Sequence, residues 1–238
     1  TAFQNPAVRF INLNVAEFDA YKQAALPLVG DARTVLEAWT EALEGFHVGE
    51  EYAALIRVGR AAWDEEVDRL YHLNTSGLPA QSEVIGAINE FIRPQDVLIN
   101  AAGSAPGDLH KLWRSREHKS FHLEYGYSCM GYEIPAALGV KMADPAREVY
   151  ALVGDGTYLM MPSEIVTSIQ EGVKFTIVLV DNHGYASIGS LSDSVGNGRF
   201  GTVYRARDAQ SGRLEGDYLP IDFAQNARGF GAATFEAH

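Results

Sequence analysis

Apolar and polar residues alternate with period two from Val8 to Val15 (VRFINLNV), which predicts a strand. Seven residues precede it, so it reads as the interior of a sheet whose earlier strands are missing. The stretch AEFDAYKQ predicts a short helix. Asp31 then stands as N-cap of a second helix whose Val35, Leu36, Trp39 and Leu43 form one apolar stripe, a face that needs a partner surface. From Glu50 to about Leu73 the spacing of Ile56, Trp63, Val67 and Leu70 is helical among many charges, the pattern of a solvated bridging helix. A further helix runs from Leu78 to Ile92 and ends at Arg93-Pro94, because the residue before a proline avoids helical backbone.

Downstream, strands and helices alternate. Asp96–Ala102, Glu148–Val153 and Phe175–Val180 are nearly continuous apolar runs; Gly107–Trp113, Met130–Met142 and Ser163–Gln170 read as helices between them. Such strands are buried on both sides, which predicts an α/β fold with a doubly wound parallel sheet and helices on both faces. The segment Gly184–Gly216 is rich in Gly, Ser and Asp and is too long for an ordinary connection, so it is a candidate functional loop. No internal repeat is evident.

Composition narrows the possibilities. Of 238 residues 47% are apolar, enough for a real core, and the net charge of −12 argues against nucleic acid or an anionic membrane as main partner. No apolar run nears the roughly 20 residues of a membrane span, and TAFQNPAVRF has no signal pattern, so a soluble cytoplasmic protein is expected. Cys129 is the single cysteine, which excludes an internal disulfide, suits a reducing compartment and reads as a small buried filler.

Ligands of doubly wound sheets bind at the carboxyl ends of strands. Two such ends carry unusual residues, Gly154-Asp155-Gly156-Thr157 and Asp181-Asn182-His183-Gly184. Gly-Asp-Gly alone also makes ordinary turns. Its place at a buried strand's end, with Asn182 27 positions later at the next, brings two oxygen donors together for a hard cation such as Mg²⁺, with coordination left over for phosphate oxygens.

This arrangement resembles the GDG…N motif of thiamine-diphosphate enzymes. The resemblance implies that Asp155, Asn182 and the Gly184 carbonyl bind Mg²⁺, and that Gly154, Gly156 and Thr157 contact the cofactor diphosphate. Met130, 25 positions before Asp155, stands where the family props the cofactor into a bent shape, although it also reads as the first core residue of its helix. By the same resemblance the Ser128 carbonyl and Met130 amide would hold the pyrimidine edge. Gly103 and Ser104 match the family's diphosphate turn, and ordinary turn chemistry explains them nearly as well. His183, His110 and His122 are candidate proton shuttles or structural residues, and Tyr185 and Ser187 candidate substrate contacts.

Within that family, GDLHKLW, HLEYGYSCMGYEIPAALGVKMADP, REVYALVGDGTYLMMPSEIVTSIQEG, VLVDNHGYASIGSLS and LPIDFAQNARGFGA look like 3D-(3,5/4)-trihydroxycyclohexane-1,2-dione hydrolases of inositol breakdown, and FQNPAVRFINLNV and FDAYKQAALPLVGDA fit upstream. The resemblance implies addition of the cofactor to a carbonyl of a cyclic polyol dione, cleavage of the adjacent ring C–C bond and release by water as an open-chain acid. A neutral polyol needs no cationic pocket, in keeping with the acidic composition. Alternatives are an acetolactate-synthase-like carboligase or decarboxylase, or a cofactor-binding module without turnover.

The same resemblance divides the chain into a middle-domain remnant at 1–48, a helical linker at 49–80 and a diphosphate- and Mg-binding domain at 81–238, with its last strand expected to be incomplete. No stretch supplies the family's N-terminal pyrimidine-binding domain with its glutamate. That domain is expected from a neighbouring subunit of a homodimer or homotetramer.

Overall fold

The computed structural model describes residues 3–237 and divides into two compact units, one running to Ala61 and the other starting at Ala62. In the first unit β1 (Ile11–Asn14) pairs in parallel with β2 (Leu26–Val29), Ile11 opposite Leu26. Between them lie α1 (Glu17–Ala20) and a 3-10 turn (Lys22–Ala24), and α2 (Ala32–Ala42) follows. Asp31 caps α2 as expected, its carboxylate accepting the Thr34 N–H at 3.0 Å. Two strands are too few to close a core. Among the described residues of this unit only Ala20 and Ala25 are buried, and the stripe on α2 stays open, with Leu36 and Leu43 each more than half exposed.

Helix α3 (Glu50–Tyr71) departs from the solvated bridge expected of it. Val67 and Tyr71, one turn apart near its end, are buried in the core of the second unit, so the charged pattern conceals an apolar anchor. Then come α4 (Gln81–Phe91), β3 (Val97–Asn100), α5 (Ala105–Leu112), β4 (Phe121–Leu123), α6 (Glu133–Ala143), β5 (Val149–Gly154), α7 (Asp155–Met160), α8 (Glu164–Gln170), β6 (Thr176–Val180), α9 (Ala186–Ser194) and α10 (Phe223–Gly229).

The four strands β3 to β6 form one parallel sheet in the order β4-β3-β5-β6, and period-two alternation assigns its faces. Leu98 and Leu152 pack with residues of α3, α4 and α5; Val97, Ile99, Val149, Ala151 and Val153 pack with α6, α7 and α8. Helices therefore cover both faces, as predicted. Each fully buried Val, Leu or Ile here contributes about 1.5–3 kcal/mol.

The strand order sets the position of the site. From β3 the chain turns to β4 on one side, and from β5 it turns to β6 on the other, so the loops leaving β3 and β5 diverge and open a crevice at the carboxyl ends. The segment Gly184–Gly216 is not structureless: α9 lies inside it, and isolated bridges join Gly184 to Val203 and Arg205 to Tyr218. Among the described residues no helix is long and apolar enough to cross a membrane.

Candidate functional site

The crevice holds a cleft to which every segment singled out above contributes. Its lining includes Gly103 and Ser104 after β3, Ser128 and Met130 before α6, Gly154 through Thr157 after β5, and Asn182 and Gly184 after β6. Tyr185 and Ser187 also line it. His183 does not: its ring stands 3.3 Å from the Asp181 carboxylate and against Tyr218. His110 packs edge-on against Tyr125, and His122 shares a 2.8 Å hydrogen bond with the Tyr132 hydroxyl, so neither ring reaches in.

At the centre is Asp155, fully buried at the head of α7. Its Oδ1 accepts the Gly156 N–H at 2.7 Å and its Oδ2 the Gly184 N–H at 2.8 Å. Burial, opposed by the Gly184 N–H and reinforced by the neighbouring Asp181 carboxyl, pushes Asp155 up to about 6. A cation beside the two carboxyls would relieve that penalty. The strand end holding Asp181 stood out in the sequence, but nothing local assigned that carboxyl a role of its own beside Asp155.

Close approach explains the glycine at 184. With φ at +149°, a Cβ there would stand 2.2 Å from the Thr202 carbonyl oxygen. The residue before it, His183, is itself left-handed at +61°, as is Ser128 at +53°, a strained backbone of the kind that clusters at ligand sites. Met130 lies in the turn ahead of α6, which starts at Glu133, and is therefore not the first core residue of that helix. Cys129 corrects another expectation: it is exposed rather than buried, because this turn runs over the surface, with the Cys129 N–H donated to the Glu124 carboxylate at 2.8 Å.

The comparisons agree with this geometry. Residues 101–238 match the family described as "Thiamine pyrophosphate enzyme, C-terminal TPP binding domain". The chain belongs to the thiamine pyrophosphate enzymes. Over 260 residues it is 39% identical to a protein of Clostridium tetani (strain Massachusetts / E88) named 3D-(3,5/4)-trihydroxycyclohexane-1,2-dione hydrolase, covering 99% of this chain and 40% of that one. Proteins of the same name from Bacillus thuringiensis (strain Al Hakam) and Bacillus anthracis (strain A0248) are 39% and 40% identical over 257 residues, with 98% of this chain and 40% of theirs covered. The chain spans about 40% of the length of these curated relatives.

Several observations suit the thiamine pyrophosphate enzyme to its cofactor. Behind the cleft wall, where Tyr204 does not itself line the cleft, its hydroxyl is buried without a hydrogen-bond partner, 3.3 Å from where a Cβ on Gly156 would stand. Burial raises its pKa, and the nearby Asp155 raises it further. At Gly103, left-handed at +100°, and at Gly154 the space beyond the missing Cβ is open, so small residues leave room for a ligand. Oxygens of Asp155, Asn182 and Gly184 are hard donors. Among the described residues no group of three His, Cys, Asp or Glu could hold a metal, so a cation here would rely on that mixed set and on oxygens of the ligand itself. Two implied donors are already engaged within the protein: the Gly156 N–H on Asp155, and the Thr157 hydroxyl on Glu133 at 3.0 Å. Tyr204 and Gln81, which also lines the cleft, were missed because each comes from a segment distant from the motif.

Proposed function

We propose that this chain is the diphosphate-binding part of a thiamine-diphosphate- and Mg²⁺-dependent hydrolase. It would open the ring of 3D-(3,5/4)-trihydroxycyclohexane-1,2-dione to 5-deoxy-D-glucuronic acid in inositol breakdown. The observation that carries this reading is 39% identity across 99% of the chain to proteins of that name. Assembly of the motif residues in one cleft supports it.

When bound, thiamine diphosphate supplies a carbon nucleophile and an electron sink for breaking a C–C bond next to a carbonyl. The protein's part is to bind and orient. Asp155, Asn182 and the Gly184 carbonyl ligate Mg²⁺; Gly103, Ser104, Gly154, Gly156 and Thr157 surround the diphosphate. Met130 would pack against the cofactor, and the Ser128 carbonyl and Met130 amide would hold its pyrimidine edge. Tyr185 and Ser187 face the substrate. His183, seated on Asp181, serves the cation loop more directly than the reacting atoms.

Residues 1–48 are the end of a middle domain, 49–80 a linker and 81–238 the diphosphate domain. The pyrimidine domain, with its glutamate, belongs to the rest of the longer enzyme and meets this cleft across a subunit interface of a cytoplasmic homodimer or homotetramer. Assay of the full-length enzyme on the cyclic dione and on pyruvate, with and without Mg²⁺ and thiamine diphosphate, tests the reading. Turnover of the dione that is lost without cofactor and in Asp155→Ala is expected; turnover of pyruvate alone, or activity indifferent to both additions, would overturn it. Because the chain spans 40% of its relatives, a second reading applies to the isolated chain: a module that binds cofactor without turnover.

A further inference from the structure

We infer that Glu133 is a positioning residue that locks three of the four cleft-lining segments into one preformed cradle. The inference rests on the reading that the cleft holds thiamine diphosphate. Glu133 is 1% exposed and is the one buried glutamate among the described residues. A buried carboxyl is costly unless both oxygens find donors, so what it bonds to shows what it does. Its Oε1 accepts the Ala102 N–H at 3.0 Å, and its Oε2 accepts the Thr157 hydroxyl at 3.0 Å. The same Thr157 oxygen accepts the Gly131 N–H at 2.7 Å.

These three bonds form a continuous chain across the head of the sheet. Ala102 immediately precedes Gly103 and Ser104; Gly131 immediately follows Met130; Thr157 closes the Gly154–Thr157 turn. Each anchored residue thus adjoins or belongs to a stretch lining the cleft, whereas Glu133 does not line it. A buried carboxyl that ties two of these stretches directly, and a third through Thr157, acts by holding them in register, which spares the ligand the cost of ordering them. It also engages the Thr157 hydroxyl, whose proton goes to Glu133 while one of its two lone pairs accepts the Gly131 N–H.

The test is titration of thiamine diphosphate with Mg²⁺ into the full-length enzyme by calorimetry, for wild type, Glu133→Ala, Glu133→Gln, Thr157→Val and the Glu133→Ala/Thr157→Val double variant. Melting curves supply the folded fraction. Glu133→Ala is expected to weaken affinity about 10- to 100-fold, the usual cost of losing a group that orients ligand-binding residues. Glu133→Gln should stay within about threefold of wild type, since its amide oxygen accepts from Ala102 and its NH₂ donates to Thr157. The double variant should lose less than the product of the two single losses, because both single changes break the same Glu133–Thr157 bond. Wild-type affinity for Glu133→Ala on its folded fraction, or losses that multiply in the double variant, would overturn the inference.

Should Glu133→Ala fail to fold, amide exchange in cofactor-free Thr157→Val decides. Faster exchange at Ala102, which Thr157 does not touch, is expected; exchange there at the wild-type rate would overturn the link. A full-length wild-type enzyme that takes up no cofactor would refute the functional reading instead, and the exchange measurement would still test Glu133.

Discussion

The backbone N–H of Gly184 donates to the Asp155 carboxylate across 2.8 Å, joining the loops that leave β5 and β6 through two of the three proposed cation ligands. Perturbing either partner should therefore disturb both loops.

Asp155→Asn keeps the shape and removes the charge, but turns an amide NH₂ toward one of the two N–H groups the carboxylate now satisfies. Mg²⁺-dependent thiamine diphosphate affinity should fall at least about 100-fold, and stability by about 1–3 kcal/mol for the unpaired donor. Calorimetry with paired melting curves measures both; unchanged affinity would remove Asp155 from the cation site.

Tyr204→Phe deletes a buried hydroxyl that has no partner. The cofactor-free chain should melt no lower than wild type, and cofactor affinity should stay within about fivefold, less than the worth of one direct hydrogen bond near 1 kcal/mol, since Tyr204 does not line the cleft. A lower melting temperature without cofactor would mean the hydroxyl is already satisfied.

Gly184→Ala forces a Cβ to within 2.2 Å of the Thr202 carbonyl oxygen at a left-handed backbone position. Urea unfolding should show a loss of about 2 kcal/mol or more. A loss under 0.5 kcal/mol, the range of ordinary surface changes, would show that the 202–203 segment yields freely.

Gly86→Ala inverts a common rule. In a helix interior alanine is normally better than glycine by about 1 kcal/mol. Here the new methyl would sit 2.5 Å from the Tyr71 ring, so α4 must back away from α3, and a net loss of about 1–3 kcal/mol is expected on urea unfolding. A stabilised variant would show that Tyr71 can rotate aside.

Asp96 governs an acid limb. Burial pushes its carboxyl up, but the Arg93 guanidinium, the Arg93 N–H and the Glu148 N–H together hold it below the ordinary 3.8. With the folded value depressed, the unfolded chain binds more protons, so this stabilisation is present above 3.8 and is lost as pH falls through the folded value. Asp96→Asn should be less stable at neutral pH and flatter below pH 4 in melting curves taken across that range; an acid slope identical to wild type would assign the limb elsewhere.

The strands of the sheet were readable because β3, β5 and β6 are apolar on both faces, a signal that burial itself imposes. β4 was missed: Phe121, His122 and Leu123 give too few positions for alternation to register. Helix α9 was missed because Gly, Ser and Asp dominate it and suggest loop, and α7 because six residues are too few for a helical period to register. Asp155 and Asn182 were legible from spacing at strand ends, and the cleft contains both. Glu133 looked like any acid in a helix's first turn, and Tyr204 like any loop tyrosine. Their significance comes from partners that only folding brings near.

The sheet's pairing also has a kinetic side. Asn100 on β3 bonds the carbonyl of Leu152 on β5, 52 positions along the chain, with α5, β4 and α6 in between. Closing so long a loop is slow relative to forming local helices. Because Gly103 and Asp155 come together only after that closure, no early folding intermediate with local helices alone can hold the cofactor. Its uptake would therefore serve as a clock for the last, long-range step of folding.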